Sequence, residues 1–261
     1  MAAIRVVVRG ASGKMGQEVI AAVGAAPGLE LVGAVDLEPP SDRLKLPDGS
    51  SIPFSADLES ILSQQKPDVL VDFTVASAVM PAVRAAFRHG ARPVIGTSGL
   101  KQEEINEIDE LAREYGLGAA VVPNFALGAV LMMHMARIAA RHMDSAEIIE
   151  QHHPAKLDAP SGTAVATAEG MLKARGKPFN KPITRESESR GKDYEGIAVH
   201  SLRLPGIIAR QEVIFGGPGE TLSIKHDSVD RKCFMPGVIL AIREIRKHEG
   251  LVYGLEGLLG L

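Results

Sequence analysis

Residues 150–164 read Glu-Gln-His-His-Pro-Ala-Lys-Leu-Asp-Ala-Pro-Ser-Gly-Thr-Ala. Two adjacent imidazoles, His152 and His153, are followed by the ammonium of Lys156 and then by Asp158-Ala159-Pro160-Ser161-Gly162-Thr163. Histidine is the side chain best poised to give or take a proton near pH 7. Ser161 is a natural N-cap for a helix beginning at about Gly162, and Pro160 stiffens the approach to it. The first N–H groups of such a helix lack intrahelical partners. Gly162 lets an anion come close to them, Thr163 adds a hydroxyl, and Lys156 brings a full positive charge. Together they form a seat for a carboxylate, and a substrate carrying more than one suits it. Successive strand residues point to opposite faces. If a strand runs straight through the histidine pair, one of them acts and the other shapes the pocket. Asp158 is read as fixing the loop.

A second constellation opens the chain. The β-branched run Ile4 to Val8 leads into Gly10-Ala11-Ser12-Gly13-Lys14-Met15-Gly16, and QEVIAAVGAA (17–26) follows at helical spacing. Glycines between a strand and a helix let the backbone approach a pyrophosphate, and the helix start offers free N–H groups at the positive end of its dipole. Asp36 closes the next apolar run, twenty residues after Gly16, where a carboxylate accepts hydrogen bonds from ribose hydroxyls. Leu37 and Glu38 come next, so no arginine waits there for a 2′-phosphate, and NADH is the expected cofactor over NADPH. Lys14 and Arg9 lie near; they either soften that preference or are solvated surface charge.

Metal and thiol chemistry are poorer readings of the same chain. A zinc site needs three or four ligands, and the single cysteine, Cys233, has no partner thiol. Arg231 and Lys232 would lower its pKa, but no dyad is visible. His134 and the methionines around it fit core packing. No metal is expected.

The elements that must hold these groups alternate. Apolar runs recur at Leu29–Val35, Val69–Thr74, Pro93–Gly99 and Gly118–Asn124, with helical stretches near 75–89 and 101–115. Short continuous apolar strands between helices imply a parallel sheet covered on both faces. Ligands of such sheets bind beyond the carboxyl ends of the strands. Those ends are Phe73-Thr74, Gly96-Thr97-Ser98 and Pro123-Asn124-Phe125, small or polar residues able to face a nicotinamide ribose.

After a helical stretch at 129–143 and a strand from Ala146 to Gln151, the period changes. IAVHSL, RQEVIF and ETLSIKHD follow one another with a turn at Gly216-Gly217-Pro218-Gly219, as in a mostly antiparallel sheet. Residues 176–196 are polar and read as a mobile loop. An amphipathic helix near 234–247 closes the pattern. The expected fold is α/β: an N-terminal Rossmann-like dinucleotide-binding domain (1–125) and an α+β C-terminal domain (126–234) with a mostly antiparallel or mixed sheet. A C-terminal helix, about 235–261, is expected to pack back on the first domain.

The totals fit this plan and exclude others. The 261 residues suffice for about two domains with a buried core. Lys and Arg number 29 against 32 Asp and Glu, a net charge of -3 without clustering, so nucleic acid is not an expected partner. No apolar run approaches the ~20 residues of a membrane span. The apolar start lacks a cationic n-region and is read as a buried strand, not a signal peptide. One cysteine suits a reducing compartment, and a cytoplasmic, soluble protein is expected.

The motifs together resemble those of the 4-hydroxy-tetrahydrodipicolinate (dihydrodipicolinate) reductase family of the diaminopimelate–lysine pathway. The resemblance runs nearly end to end. It is carried by the Gly10–Gly16 loop, Asp72-Phe73-Thr74, Gly96-Thr97-Ser98-Gly99, Pro123-Asn124-Phe125 and, most specifically, residues 150–164. It implies hydride transfer from NAD(P)H to a small cyclic dicarboxylate with loss of its 4-hydroxyl as water. It also implies roles. His152 is the proton donor, with Lys156 as its partner and as a substrate ligand, and His153, Gly162 and Thr163 bind the substrate carboxylates. Gly10, Ala11, Ser12, Gly13, Lys14 and Met15, with Asp36, line the cofactor, as do Gly96, Thr97 and Ser98 and the run Val122, Pro123, Asn124 and Phe125. A homotetramer assembled through the C-terminal sheet is implied as well.

Overall fold

Val6, Val7 and Val8 are all fully buried in β1 (Ile4–Arg9), which only a strand covered on both faces achieves. The computed structural model describes residues 2–181 and 188–261. It divides into two compact units, one running to Phe125 and resuming over Phe234–Leu261, the other Ala126–Cys233.

In the first unit β1 leads through the glycine turn directly into α1 (Lys14–Ala25), whose N-cap is Gly13. The helix therefore starts three residues earlier than its apolar periodicity shows, because the last glycine of the loop, Gly16, already lies in its first turn. β2 (Leu29–Val35) pairs parallel to β1. The stretch after Asp36, which carries no clear period, forms the short hairpin β3 (Arg43–Lys45) and β4 (Ser51–Ser55) and then α2 (Leu58–Gln65), capped by the Asp57 side chain. β5 (Val69–Asp72), α3 (Ala76–Arg88), β6 (Arg92–Ile95), α4 (Gln102–Glu114) and β7 (Gly118–Val121) continue the alternation.

The second unit is built on β8 (Ser145–His152), which follows α5 (Leu127–Ala140) and precedes α6 (Gly162–Arg175). β9 (Lys192–Tyr194), β10 (Ile197–Arg203), β11 (Ala209–Gly217) and β12 (Glu220–Ser228) complete a sheet of order β12-β11-β8-β10-β9 among the described residues. It is mixed, since β10 runs parallel to β8 and the other pairs are antiparallel. The β11–β12 turn is the two residues Pro218-Gly219, with Gly219 at φ +78. Ala164, Ala168 and Met171 of α6 meet Ala136 and Ala140 of α5 and Ile148, Val199, Val213 and Phe215 of the sheet in one core. The stretch 176–196 is not uniformly a loop, because Gly176 caps α6 and β9 pairs with β10. Residues 182–187 of that stretch lie outside the described residues.

The chain then returns to the first unit with α7 (Met235–Glu244), a 3-10 turn at Ile245–Lys247, β13 (Gly250–Tyr253) and α8 (Leu255–Leu259). The expectation of one helix from about 235 to 261 is therefore corrected. Gly250 and Gly254, at φ +79 and +81, break the helix on either side of a strand that pairs parallel to β7. The full order, again among the described residues, is β13-β7-β6-β5-β1-β2-β4-β3.

Candidate active site

In the second unit the alternation of β8 puts Ala146, Ile148, Glu150 and His152 on the face that meets the helices, with Glu150 fully buried. His152 Nδ1 lies 2.6 Å from Glu150 Oε2. Arg203, the register partner of His152 on β10, donates from both terminal nitrogens to the same carboxylate at 2.8 and 3.0 Å. The Ser161 N–H donates to Glu150 Oε1 at 3.2 Å. Burial pushes the Glu150 carboxyl up, but hydrogen bonds from Arg203, Ser201 and His152 outweigh it and hold the group below the usual glutamate range. Burial pulls the His152 imidazole down, against the raising effect of Glu150, with Lys156 and Arg203 adding to the depression.

The strand stops at His152, so the pair does not sit on one straight strand. His153 is exposed and begins a tight turn, its carbonyl accepting the Lys156 N–H at 3.1 Å. That turn brings the lysine back, and Lys156 Nζ bonds Asp158 Oδ1 at 2.7 Å. The Asp158 carbonyl accepts from Arg203 at 2.6 Å, so Asp158 holds the loop through both its side chain and its backbone. Ser161 caps α6, its Oγ accepting the Ala164 N–H at 3.2 Å. The first bond inside the helix runs from the Val165 N–H to the Ser161 carbonyl, so the Gly162 and Thr163 N–H groups precede it. Open space lies where a Gly162 side chain would stand. Lys156, Gly162 and Thr163 thus belong to the same fifteen-residue segment as His152, and Glu150 ties its two ends together.

In the first unit the glycine loop is a cradle that side chains would fill. Gly10 has φ +78, and a Cβ there would strike the Phe73 carbonyl. A Cβ on Gly16 would strike the Gly10 carbonyl oxygen and stand 2.9 Å from the Ala11 Cα. Asp36 accepts the Ser12 N–H and its neighbour Leu37's N–H, each at 2.7 Å, which fixes the loop against the end of β2. Gly13 and Lys14 are exposed and Met15 half-buried. At the other strand ends Gly96 lies directly against the Phe73 ring, and Phe73 and Phe125 rings are 5.5 Å apart. Val122 donates to the Ile95 carbonyl at 2.9 Å, Pro123 and Ser98 are exposed, and Asn124 is half-buried. The cradle, the helix start and the acid at the end of β2 fit a dinucleotide.

Arg9 is not the solvated charge it could be from sequence. Its guanidinium, 14% exposed, pairs with buried Asp72 at 2.6 Å and also donates to Thr74 Oγ1 and the Ala78 carbonyl. Asp72 in turn accepts from the hydroxyls of Thr74 and Thr97. Arg9 therefore serves the strand ends. Glu150 and Arg203 were given no role in the sequence, and Asp72 entered only as part of a motif that carries the resemblance. Glu-x-His within a strand was the available signal for the first, since residues two apart share a face. Among the described residues no group of three or more His, Cys, Asp or Glu side chains is placed to hold a metal ion.

Known proteins resemble the chain throughout. Residues 4–125 match the family model for the dihydrodipicolinate reductase N-terminus, and residues 128–259 the model for its C-terminus. A 4-hydroxy-tetrahydrodipicolinate reductase of Dehalococcoides mccartyi is 57% identical over 263 residues, covering 100% of both chains. One from Moorella thermoacetica is 46% identical, covering 99% of each. The solved structure of a dipicolinate-bound dihydrodipicolinate reductase from Paenisporosarcina sp. TG-14 superposes with a TM-score of 0.89 at 41% identity, over 98% of this chain and 99% of that one.

Proposed function

Because the chain belongs to the dihydrodipicolinate reductase family, matched over both of its halves, we infer that it reduces 4-hydroxy-tetrahydrodipicolinate to tetrahydrodipicolinate with loss of water. It is an NAD(P)H-dependent oxidoreductase of diaminopimelate and lysine biosynthesis. The observation that carries the reading is the single segment joining a buried-carboxylate-bound imidazole, an ammonium group and an open helix start.

The dinucleotide, when bound, supplies the hydride. Its pyrophosphate would be held by the backbone of Gly10, Ala11, Ser12, Gly13, Lys14 and Met15 and its ribose by Asp36. Gly96, Thr97, Ser98, Val122, Pro123, Asn124 and Phe125 would line the rest. The 4-hydroxyl leaves with a neighbouring ring proton as water, giving an unsaturated ring. That ring, once it accepts a hydride at carbon, is left with an electron pair to protonate, and His152 delivers that proton from Nε2. Lys156 exchanges Asp158 for a substrate carboxylate, stabilising the charge. His153 and the Gly162 and Thr163 N–H groups hold the other carboxylate end. The relative solved with dipicolinate bound supports a small dicarboxylate as ligand.

Asp36, followed by Leu37, favours NADH, because a carboxylate there repels a 2′-phosphate and no arginine stands beside it. The test is to mix the protein with the condensation product of pyruvate and aspartate semialdehyde and to follow absorbance of each reduced cofactor. We expect turnover with both and, from one uncompensated charge repulsion of about 1–2 kcal/mol, about tenfold higher kcat/KM with NADH. A strong NADPH preference sinks the Asp36 argument. Tight NADH binding without consumption would instead favour a regulatory dinucleotide-binding protein, and consumption only on an unrelated carbonyl would favour another oxidoreductase.

Two broader readings belong with this one. The face of the second unit's sheet opposite Ile148 and Val199 carries Ile149, Ala198 and Ile214, half-buried and interspersed with Glu147, His200 and Glu212. We assign that face to a homotetramer. Sedimentation at micromolar concentration should give four chains, and Ile214→Asp should dissociate them; a wild-type monomer overturns the assignment. No helix of the described residues is long and apolar enough to cross a membrane. The free thiol of Cys233 supports a cytoplasmic setting.

A further inference from the structure

We propose that Glu150 is a positioning residue for the reaction: its buried carboxylate, neutralised by Arg203, fixes the tautomer and the aim of the His152 ring and ties that ring to the start of α6. The proposal rests on the reading of His152 as proton donor.

The geometry makes the carboxylate a junction. Its Oε2 meets His152 Nδ1 and Arg203, and its Oε1 meets Arg203 and the N–H of the helix cap Ser161. A fully buried carboxylate would ordinarily take up a proton. Here the bidentate guanidinium keeps it ionised, and its lowered pKa agrees. An ionised carboxylate is an acceptor only. The nitrogen 2.6 Å from it must therefore carry hydrogen, so Nδ1–H is the neutral tautomer and Nε2 is left with its lone pair. When Nε2 is protonated it becomes the donor, and after it releases that proton the ring returns to the same tautomer. The ring has no second orientation that keeps this bond.

Among the described residues, charged groups that act on the ring or are tied to its neighbours come from three places. Glu150 lies on its own strand, Arg203 on β10, and Lys156 and Asp158 in the following loop. β11 brings neutral Ala209 and Gln211 opposite, the latter donating to Thr167 of α6, and α6 brings neutral Ser161 and Ala164. Glu150 is thus the anion that raises the imidazole against burial and two cations. Removing its charge lowers the fraction of imidazolium available to donate. The same change loosens the link between the proton donor and the helix start.

Glu150→Gln tests this through the pH profile. A donor that must be protonated gives kcat an alkaline limb, and we expect the variant's limb to move down by about one pH unit. At pH 8 that is about a tenfold loss of kcat, with KM for the dicarboxylate within about twofold, since the fully buried Glu150 carboxylate is taken up by His152, Arg203 and Ser161. Glu150→Asp, which keeps the charge, should leave the limb near its wild-type position. A purely structural role would lower the folded fraction without moving the limb, and a limb unmoved in Glu150→Gln overturns the proposal. Because loss of the buried pair can unfold the variant, the wild-type protein provides a second arm. Nitrogen-15 NMR of its histidines above pH 8 should show His152 as the Nδ1–H tautomer; the Nε2–H form overturns the proposal whatever the variant does. Full turnover in His152→Ala would defeat the donor reading alone, and the tautomer result would still decide whether Glu150 sets the ring.

Discussion

Replacing His152 with Ala is expected to lower kcat by about two to four orders of magnitude, the range a positioned general acid contributes, while NADH affinity stays at its wild-type value. The split follows from where the residues lie. His152 ends β8 in the second unit, whereas the glycine cradle and Asp36 belong to the first. Truncating the imidazole also leaves Glu150 still paired with Arg203 and Ser161, so the buried carboxylate keeps compensating partners and the fold survives. Lys156→Ala should show a different signature. Its ammonium pairs with half-exposed Asp158, and on the proposed reading its loss removes the charge that meets a substrate carboxylate. Both KM and kcat should therefore suffer, with kcat/KM down by about a hundredfold or more. Steady-state kinetics with the dicarboxylate, together with a fluorescence titration of NADH, measure both. Wild-type turnover in both variants would remove this segment from the chemistry.

Gly16→Ala is expected to weaken NADH by about 10- to 100-fold, the consequence of about 1–3 kcal/mol of overpacking at a site that cannot relax. A methyl group there meets backbone, namely the Gly10 carbonyl oxygen and the Ala11 Cα, and no side chain can swing aside. Gly10 is itself held at φ +78 beneath the Phe73 carbonyl, so the turn cannot retreat. The loop must open away from Asp36, breaking the Ser12 N–H bond that sets its shape. Gly24→Ala supplies the control within the same helix. Nothing lies within 4 Å of the added methyl, and exchanging a helical glycine for alanine should stabilise by about 0.5–1 kcal/mol with NADH binding unchanged. Isothermal titration of both variants against NADH decides the matter. Equal affinities for the two would mean that the cradle is not the pyrophosphate site.

Much of the molecule was legible as pattern. The valine-rich first strand, the alternation through β7, the change to a mixed sheet after β8 and the Ser161 cap all follow from periods and from turn chemistry over a few residues. The elements that escaped are short: the strands β3, β4 and β13, at or beside a sheet edge, and the eight-residue helix α2. β13 is four residues long, begins at Gly250 and is followed at once by Gly254, and the β3–β4 pair has a proline at position 53, too little length for any period to declare itself.

The chain by itself therefore determined which groups are present and how its short stretches bend: an imidazole at a strand end, a lysine a turn later, an uncovered helix start, a glycine turn with an acid beyond the next strand. Folding decided their ionisation and aim. Arg9 became the partner of Asp72, 63 residues away, and Glu150 stayed charged because Arg203, 53 residues on, was set beside it by the register of β10. The reason is one of range. Backbone preference is settled by near neighbours, but the state of a buried charge is settled by whichever distant groups the sheet brings within about 3 Å of it.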